Sequence, residues 1–330
     1  MRILITGGAG FIGLNLARDF GARGHSVTLL DSFARGEHDL EVKAFLASGD
    51  HCLLEVDLLA PQALSGLPVN FDIICHLAAI VGVAKVRHDP MAVLRDNIAM
   101  NLEVLRFARL QTSLQRLVFA STSEVYAGTL EKFSMDFPTP ESTSLALPCL
   151  SASRTSYMLS KIYGEALSHH CGVPFTIVRP HNIYGPRMGM SHVVPQVMQR
   201  IWQCPPGDAI VVYSPEHLRT FCYVEDAVRL IAAAAESPGC AGATLNIGNT
   251  SPEISMRELT RLIAGVMGRT IDLTDGPVTP GSPSRRQPSI EAVCRLTGQT
   301  PRVSLADGLQ YTYSWYREHK FTVHNLPTKS

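Results

Sequence analysis

The sequence predicts an α/β fold in which a doubly wound parallel sheet carries helices on both faces. Short apolar runs alternate with helical patterns over the first 180 residues. A glycine-rich turn joins the first run to the first helix, and an acidic residue ends the second run. After residue 180 the alternation loosens, so we expect a smaller C-terminal α/β lobe there.

The first strand is predicted at residues 3–5, and it leads through the turn 6–13 into a helix from Phe11 to Ala22. The first glycine of this turn allows a sharp change of direction, the second lets backbone approach a pyrophosphate, and the third lets the helix pack on the sheet. The helix N-terminus offers free N–H groups and the positive end of its dipole. The residues expected to contact a dinucleotide here are Gly7, Gly10, Phe11, Ile12 and Gly13.

The second strand, residues 27–30, ends at Asp31. Dinucleotide-binding folds place a carboxylate about 20 residues beyond the glycines, where it bonds the adenosine ribose. A carboxylate repels a 2′-phosphate, so Asp31 favours NAD over NADP as the cofactor. Arg35 lies close by in the sequence and weakens that preference.

Further elements follow in alternation. Strands are predicted at 52–56, 71–79, 117–120 and 175–179, and helices at about 40–47, 90–110 and 153–171. The third strand ends at Asp57-Leu58, and the fourth closes on Leu77, Ala78 and Ala79, whose small members let a ligand approach. Residues 127–150 are rich in Pro, Ser and Thr and are predicted to form a loop.

The second half contains shorter elements. Helices are predicted near 193–203, 225–236, 255–267 and 305–318, and strands near 210–213 and 244–247. The tail from Lys320 is polar and is expected to be loose. We therefore divide the chain into a cofactor domain, 1–180, and a mainly substrate-binding lobe, 181–330, and we allow for a return of the chain from the second part to the first.

Composition excludes several classes of function. The net charge is zero and 18% of residues are charged, so no basic excess supports binding to nucleic acid or a membrane surface. No apolar run is long enough to cross a bilayer. The chain opens directly into its first strand, so we expect no signal peptide. The eight cysteines form no CxxC pair, which predicts no metal site and reduced thiols in a cytoplasmic protein.

Tyr157 and Lys161 stand four residues apart in a predicted helix and therefore share one face. A nearby ammonium group lowers the pKa of a phenol, which can then serve as a general base. This pair predicts proton abstraction next to the dinucleotide.

These motifs, taken in order, resemble the extended short-chain dehydrogenase/reductase family, and more narrowly its nucleotide-sugar epimerase/dehydratase branch. The resemblance implies a Rossmann-type fold and tightly held NAD. It implies that Tyr157 removes a proton from a sugar hydroxyl, that Lys161 bonds the nicotinamide ribose, and that Thr122 bonds the reacting hydroxyl. By the same resemblance, Asp57 and Leu58 flank the adenine.

The segment 179–187, Arg-Pro-His-Asn-Ile-Tyr-Gly-Pro-Arg, is similar to the substrate loop of that family. The resemblance assigns the phosphates of a nucleoside-diphosphate sugar to Asn182 and the diphosphate to Arg219 and Arg286, because guanidinium groups bind phosphate oxygens bidentately. The substrate residues expected in this way are Asn182, Arg187, Arg219 and Arg286. His192 and Cys149 are weaker candidates for a catalytic role.

The presence of Glu124 leaves the type of reaction undecided. A 4-epimerase needs only Thr122, Tyr157 and Lys161, whereas a carboxylate beside them can move a proton at C5. The triplet Thr122-Ser123-Glu124 resembles GDP-mannose 4,6-dehydratases and UDP-glucuronate decarboxylases, and Arg187-Met188 also resembles the decarboxylases. The segment 77–83 resembles epimerases instead.

We therefore expect an enzyme that works through a transient 4-keto sugar. The first choice is a 4-epimerase of a UDP-hexose or UDP-hexuronate, with a UDP-glucuronate decarboxylase or a 4,6-dehydratase as alternatives. A non-catalytic NAD-binding scaffold is a remote alternative. By resemblance, the helix near 90–110 and the Tyr157 helix form a homodimer interface.

Overall fold

The computed structural model describes residues 1–279 and 281–321 of the 330-residue chain. Its strands are β1 (Arg2–Thr6), β2 (Ser26–Asp31), β3 (His51–Glu55), β4 (Ile73–His76), β5 (Arg116–Ala120), β6 (Phe175–Pro180), β7 (Ile183–Tyr184), β8 (Ala209–Val212), β9 (Leu218–Arg219), β10 (Cys222–Tyr223), β11 (Thr244–Ile247), β12 (Ile254–Ser255), β13 (Asp272–Asp275) and β14 (Arg285–Arg286).

Helices separate these strands. They are α1 (Phe11–Ala22), α2 (Leu40–Leu46), α3 (Val83–His88), α4 (Pro90–Leu110), α5 (Ala127–Lys132), α6 (Ser153–His169), α7 (Val193–Gln203), α8 (Val224–Glu236), α9 (Met256–Val266), α10 (Glu291–Thr297) and α11 (Leu305–His319). Two short 3-10 turns span Ser123–Tyr126 and Pro238–Cys240.

The central sheet has seven parallel strands in the order β11-β6-β5-β4-β1-β2-β3, which confirms the predicted doubly wound fold. Ile3 and Ile5 of β1 face one apolar layer, which includes Phe20 of α1. Leu4 faces the opposite layer, which includes Val104 of α4. Chain order reverses between β1 and β4, and open sheets of this kind bind ligands at the carboxyl ends of the strands at such a point.

The chain returns to this sheet after residue 180. Strand β11 pairs with β6 in register Leu245↔Val178 and forms the outer edge of the sheet. Residues 181–243 lie outside the central sheet and connect its strands β6 and β11. The division into two domains at residue 180 stays a prediction.

Small sheets build the remaining part. Strands β12, β9 and β14 form one of them, and its register sets Arg286 directly beside Arg219. Strand β13 pairs with β8, and β10 pairs with β7. The three-stranded sheet therefore brings together two arginines that are 67 positions apart in the sequence.

The structure differs from the predictions in short elements. Residues 127–150 begin with helix α5 rather than loop, and α3 follows β4 without a predicted counterpart. Six residues are too few to show a helical period, so contacts such as Thr129 Oγ1 donating to the Ser144 carbonyl at 2.6 Å stabilise α5 instead. The tail predicted from Lys320 lies outside the described residues beyond Phe321. Among the described residues, no helix has the length and apolar character that a membrane span requires.

Candidate active site

The glycine-rich turn lies against the carboxyl end of β2. Gly7 has a φ of +70° and donates its N–H to the Leu30 carbonyl at 2.8 Å. A Cβ added to Gly13 would stand 2.1 Å from the Gly7 carbonyl oxygen, so the turn and α1 pack at backbone contact. No side chain caps α1 at Gly10, which leaves its first N–H groups facing the cleft. This geometry fits a dinucleotide pyrophosphate.

Asp31 ends β2 and holds the same turn. Its Oδ2 accepts the Ala9 N–H at 3.0 Å and its Oδ1 accepts the Phe33 N–H at 2.9 Å. The carboxylate lines the cleft together with Asp57 and Leu58 at the end of the next strand. A carboxylate in this place fits the ribose hydroxyls of NAD.

The predicted Thr122, Tyr157 and Lys161 come together at the carboxyl end of β5. The Thr122 hydroxyl lies near enough to Tyr157 to influence the pKa of its phenol, and it accepts the Glu124 N–H at 3.3 Å. Lys161 donates to the Ala120 carbonyl at 2.7 Å, and its Nζ lies 5.9 Å from the Tyr157 ring centroid. Both side chains stand on α6, as their spacing predicts.

The ionisation of this pair differs from the expectation. Burial, with the nearby charge of Glu124, raises the pKa of Tyr157, and the neighbouring Thr122 hydroxyl and the charge of Arg35 oppose that rise only in part. Burial also lowers the pKa of Lys161 to about 8, against the charge of Glu165. The protein alone therefore does not lower the pKa of Tyr157, because desolvation of the phenol and the charge of Glu124 outweigh the effects of Thr122 and Arg35.

Glu124 lies next to this pair and binds arginines. Its Oε1 accepts bonds from Arg286 and, at 3.3 Å, from Arg154. Burial acts to raise the pKa of Glu124, but Arg286, Arg154 and Arg219 outweigh burial and lower it. Glu124 is thus held ionised between tyrosine and arginines.

Arg154 is a site residue that sequence reasoning missed. It stands three residues before Tyr157, one helical turn away, and its Nη1 donates to the Gly281 carbonyl at 2.7 Å. That spacing was the available signal, since residues three apart on a helix share a face.

Arg219 completes a cationic cluster. It is 7% exposed, donates to the Leu218 and Pro283 carbonyls, and pairs with no carboxylate among the described residues. Burial, together with Arg286, lowers the pKa of Arg219 to about 9. Glu124 pairs with Arg154 and Arg286, and its charge also interacts with Arg219 from beyond ion-pair distance. The three arginines and Glu124 together carry two net positive charges, which suits a diphosphate or a second carboxylate.

The other two predicted substrate residues differ in placement. Asn182, with a φ of +43°, lines the cleft and donates to the Thr220 carbonyl at 2.8 Å. Arg187 pairs with Asp39 at 2.7 Å and donates to the Ala9 carbonyl at 3.3 Å. Arg187, which the sequence analysis names as a substrate residue together with Arg219 and Arg286, therefore lies on the cofactor side against the glycine-rich turn.

One continuous cleft of about 660 Å³ connects these groups. It runs from the glycine turn past Leu77, Ala78 and Ala79 to Tyr157 and Arg286. His192 lines the cleft too, whereas Cys149 is exposed on the loop before α6. The volume falls within the range of small-molecule sites.

A model of the NAD-dependent epimerase/dehydratase family matches residues 3–248. A UDP-N-acetyl-α-D-glucosaminuronate decarboxylase from Bacillus cytotoxicus is 31% identical over 330 residues, covering 96% of this chain and 98% of that protein. An uncharacterised UDP-glucose epimerase from Bacillus subtilis is 31% identical over 323 residues, and the match covers 94% of this chain and 96% of that protein.

Among solved structures, a dTDP-glucose 4,6-dehydratase from Streptomyces venezuelae, crystallised with NAD, has a TM-score of 0.83. It is 26% identical and the match covers 97% of this chain and 98% of that one. The similar proteins thus bear the names of three different reactions.

Proposed function

The chain belongs to the NAD-dependent epimerase/dehydratase family, and on that premise we propose that it oxidises C4 of a UDP-hexuronate and releases C6 as carbon dioxide. The predicted family and its dependence on NAD are confirmed. The chain is an NAD-dependent enzyme that modifies nucleotide sugars. The relatives support the epimerase and the decarboxylase equally, so the choice between them rests on the site.

The cofactor residues proposed are the glycine turn, Asp31, the pair Asp57-Leu58 and the segment 77–79. When bound, NAD supplies a reversible acceptor for the hydride on C4 of the sugar. Asp31 holds the ribose, and the free N–H groups of α1 hold the pyrophosphate.

Tyr157 takes the proton of the C4 hydroxyl while Thr122 fixes the orientation of that hydroxyl. Lys161 provides positive charge beside the phenol and bonds a ribose hydroxyl. The bond from Lys161 to the Ala120 carbonyl and the nearness of Thr122 to the Tyr157 phenol support these roles. The result is a 4-keto sugar whose C6 carboxylate is β to the ketone.

Loss of carbon dioxide from such a β-keto acid needs little chemical assistance. The C5–C6 bond breaks, its electron pair moves toward the C4 oxygen as an enolate, and C5 then requires a proton. The C4 ketone afterwards takes back the hydride and a proton, so the reaction has no net redox change. Arg154 and Arg286 are the groups suited to bind the C6 carboxylate. Once they do so, Glu124 loses its counter-charges, its pKa rises because it is buried, and it can carry a proton to C5.

The observation that carries this proposal is the place of Glu124, which acts on the Tyr157 phenol and is bonded to Arg154 and Arg286. A 4-epimerase has no step at C5 and does not need this carboxylate. The excess positive charge of the arginine cluster suits the diphosphate and the C6 carboxylate of such a substrate.

A 4-epimerase is the second candidate. Its keto sugar must rotate in the site, and the small side chains of Ala78 and Ala79 leave room beside the cleft for that movement. The relative from Bacillus subtilis that is named a UDP-glucose epimerase also favours it.

The deciding experiment is incubation with UDP-glucuronate, UDP-N-acetylglucosaminuronate, UDP-glucose, GDP-mannose and dTDP-glucose, followed by mass spectrometry. A product lighter by carbon dioxide supports the decarboxylase. An isobaric product with altered retention supports the epimerase, and loss of water supports a dehydratase. With the decarboxylase substrate, Glu124→Gln should still release carbon dioxide but protonate C5 slowly, so that reduced cofactor accumulates; the same variant should leave an epimerase active.

We also propose a homodimer and a cytoplasmic location. Met91 and Leu102 of α4 and Tyr163 of α6 are 70%, 46% and 45% exposed, which suits a helical interface between two copies. The eight cysteines are all free, as expected of reduced thiols. Sedimentation that finds only monomer at micromolar concentration would exclude the dimer.

A further inference from the structure

A buried ion pair lies one helical turn beyond Lys161 and has no part in the chemistry described above. Arg179 of β6 donates through Nε and Nη2 to the two carboxylate oxygens of Glu165 on α6, at 2.9 and 2.6 Å. The two residues are 5% and 6% exposed. Arg179 also donates to the Tyr126 hydroxyl at 2.6 Å, which fixes the orientation of the Arg179 guanidinium group.

The same carboxylate holds the segment that carries Thr122. The Ser121 hydroxyl donates to Glu165 Oε1 at 2.5 Å, and Lys161 donates to the Ala120 carbonyl at 2.7 Å. The two residues before Thr122 are therefore bonded to α6 at two successive turns. Since Tyr157 stands on that helix, these bonds fix the separation of the Thr122 and Tyr157 hydroxyls.

Glu165 also supplies charge to Lys161. The titratable groups that face Lys161 are Tyr157 and Glu165 on its own helix and His76 from β4. Burial, with Lys161, lowers the pKa of His76 to about 3, so this histidine is neutral. Arg179 faces Glu165 from β6. The Glu165 carboxylate is thus the anion that opposes desolvation of the ammonium.

We propose that Glu165 is a positioning residue with two effects: it locks the Thr122 segment onto α6, and it keeps Lys161 protonated during turnover. The inference rests on the proposed roles of Tyr157 and Lys161 but not on which product is formed.

Three variants separate the two effects. Glu165→Gln removes the negative charge that favours the Lys161 ammonium. The alkaline limb of the kcat–pH profile, at which Lys161 loses its proton, should therefore move about one pH unit lower. Glu165→Asp retains the charge but withdraws it from Ser121, so the limb should stay while kcat falls about tenfold. Ser121→Ala should lower kcat by a similar factor without moving the limb. Ser168→Ala removes another buried hydroxyl of α6, bonded only to the Gly164 carbonyl, and is the matched control.

An unchanged alkaline limb in Glu165→Gln would refute the charge effect. Wild-type kcat in both Glu165→Asp and Ser121→Ala would refute the positioning effect. If Glu165→Gln does not fold because Arg179 is left unpaired, the double variant E165Q/R179Q removes both charges and should shift the limb in the same direction.

Rates are compared on whichever nucleotide sugar the wild type converts. A wild type that epimerises would therefore refute the decarboxylase while leaving the test of Glu165 intact.

Discussion

Replacing Gly13 by alanine should destabilise the chain and weaken its hold on NAD. The added methyl group would lie 2.1 Å from the Gly7 carbonyl oxygen and 2.9 Å from Gly8 Cα. Both neighbours are backbone atoms, so no rotamer change relieves the overlap, and α1 or the turn must move by about 1 Å. Overpacking of this severity costs about 3 kcal/mol, which corresponds to a fall in Tm of about 4 °C, because a chain of 330 residues has an entropy of unfolding of about 0.7 kcal/mol/K.

The matched control is Gly265→Ala in helix α9. A Cβ at this position meets no atom within 4 Å, so the alanine should raise the free energy of unfolding by about 0.5–1 kcal/mol. Thermal unfolding and NAD titration of both variants are the measurements. We expect a lower Tm and at least about tenfold weaker NAD binding for Gly13→Ala only. If Gly13→Ala keeps the wild-type Tm and affinity, the close packing of the turn is refuted.

Three further outcomes are expected. Tyr157→Phe should lower turnover by about 10²–10⁴-fold while bound NAD is retained, because only the general base is lost; product assays and cofactor content test this. Asp31→Ser should narrow the preference for NAD over NADP, measured as the two dissociation constants, because the carboxylate no longer repels a 2′-phosphate. Acidification below about pH 6.5 should destabilise the protein, because burial holds the pKa of His76 and that of His181 at about 3. The unfolded state then binds more protons, so each histidine removes up to about 1.4 kcal/mol of stability per pH unit, measurable by urea unfolding.

Each of these has a clear contrary result. Full turnover in Tyr157→Phe would refute the role of Tyr157 as the general base. An unchanged cofactor ratio in Asp31→Ser would place the discrimination elsewhere, with Arg35 the next residue to replace. Equal unfolding free energies at pH 7 and pH 5 would show that the two histidines become protonated within the folded state.

The long elements were predictable because their patterns extend over many residues. Helix α4 runs from Pro90 to Leu110 as predicted, since Asp89 caps it and Pro90 suits its first turn. Strand β11 and helix α7 also have their predicted bounds. Two-residue strands such as β9 and β14 carry no period of their own and depend on tertiary pairing, so the sequence could not reveal them.

The site residues also divide into those that local sequence spacing predicts and those that depend on the folded chain. Tyr157 and Lys161 are set by helical spacing, which the sequence contains directly. The position of Arg187 is not set by local spacing, because its partner Asp39 is 148 positions away in the sequence and contacts it only in the folded chain. The raised pKa of Tyr157 also depends on burial, a property of the packed protein rather than of local spacing. The roles of the site residues stay predictions until the variants are measured.

The return of the chain to the central sheet has a consequence for biosynthesis and for protein engineering. A polypeptide truncated at residue 180 would expose the whole outer edge of β6, including Val178, which β11 covers. It would also lack Asn246, the acceptor for the Tyr126 hydroxyl. An open edge of this kind invites pairing with other chains. The nascent chain should therefore remain vulnerable to aggregation until residue 247 has left the ribosome, and excising the first 180 residues should not yield an autonomous folding unit.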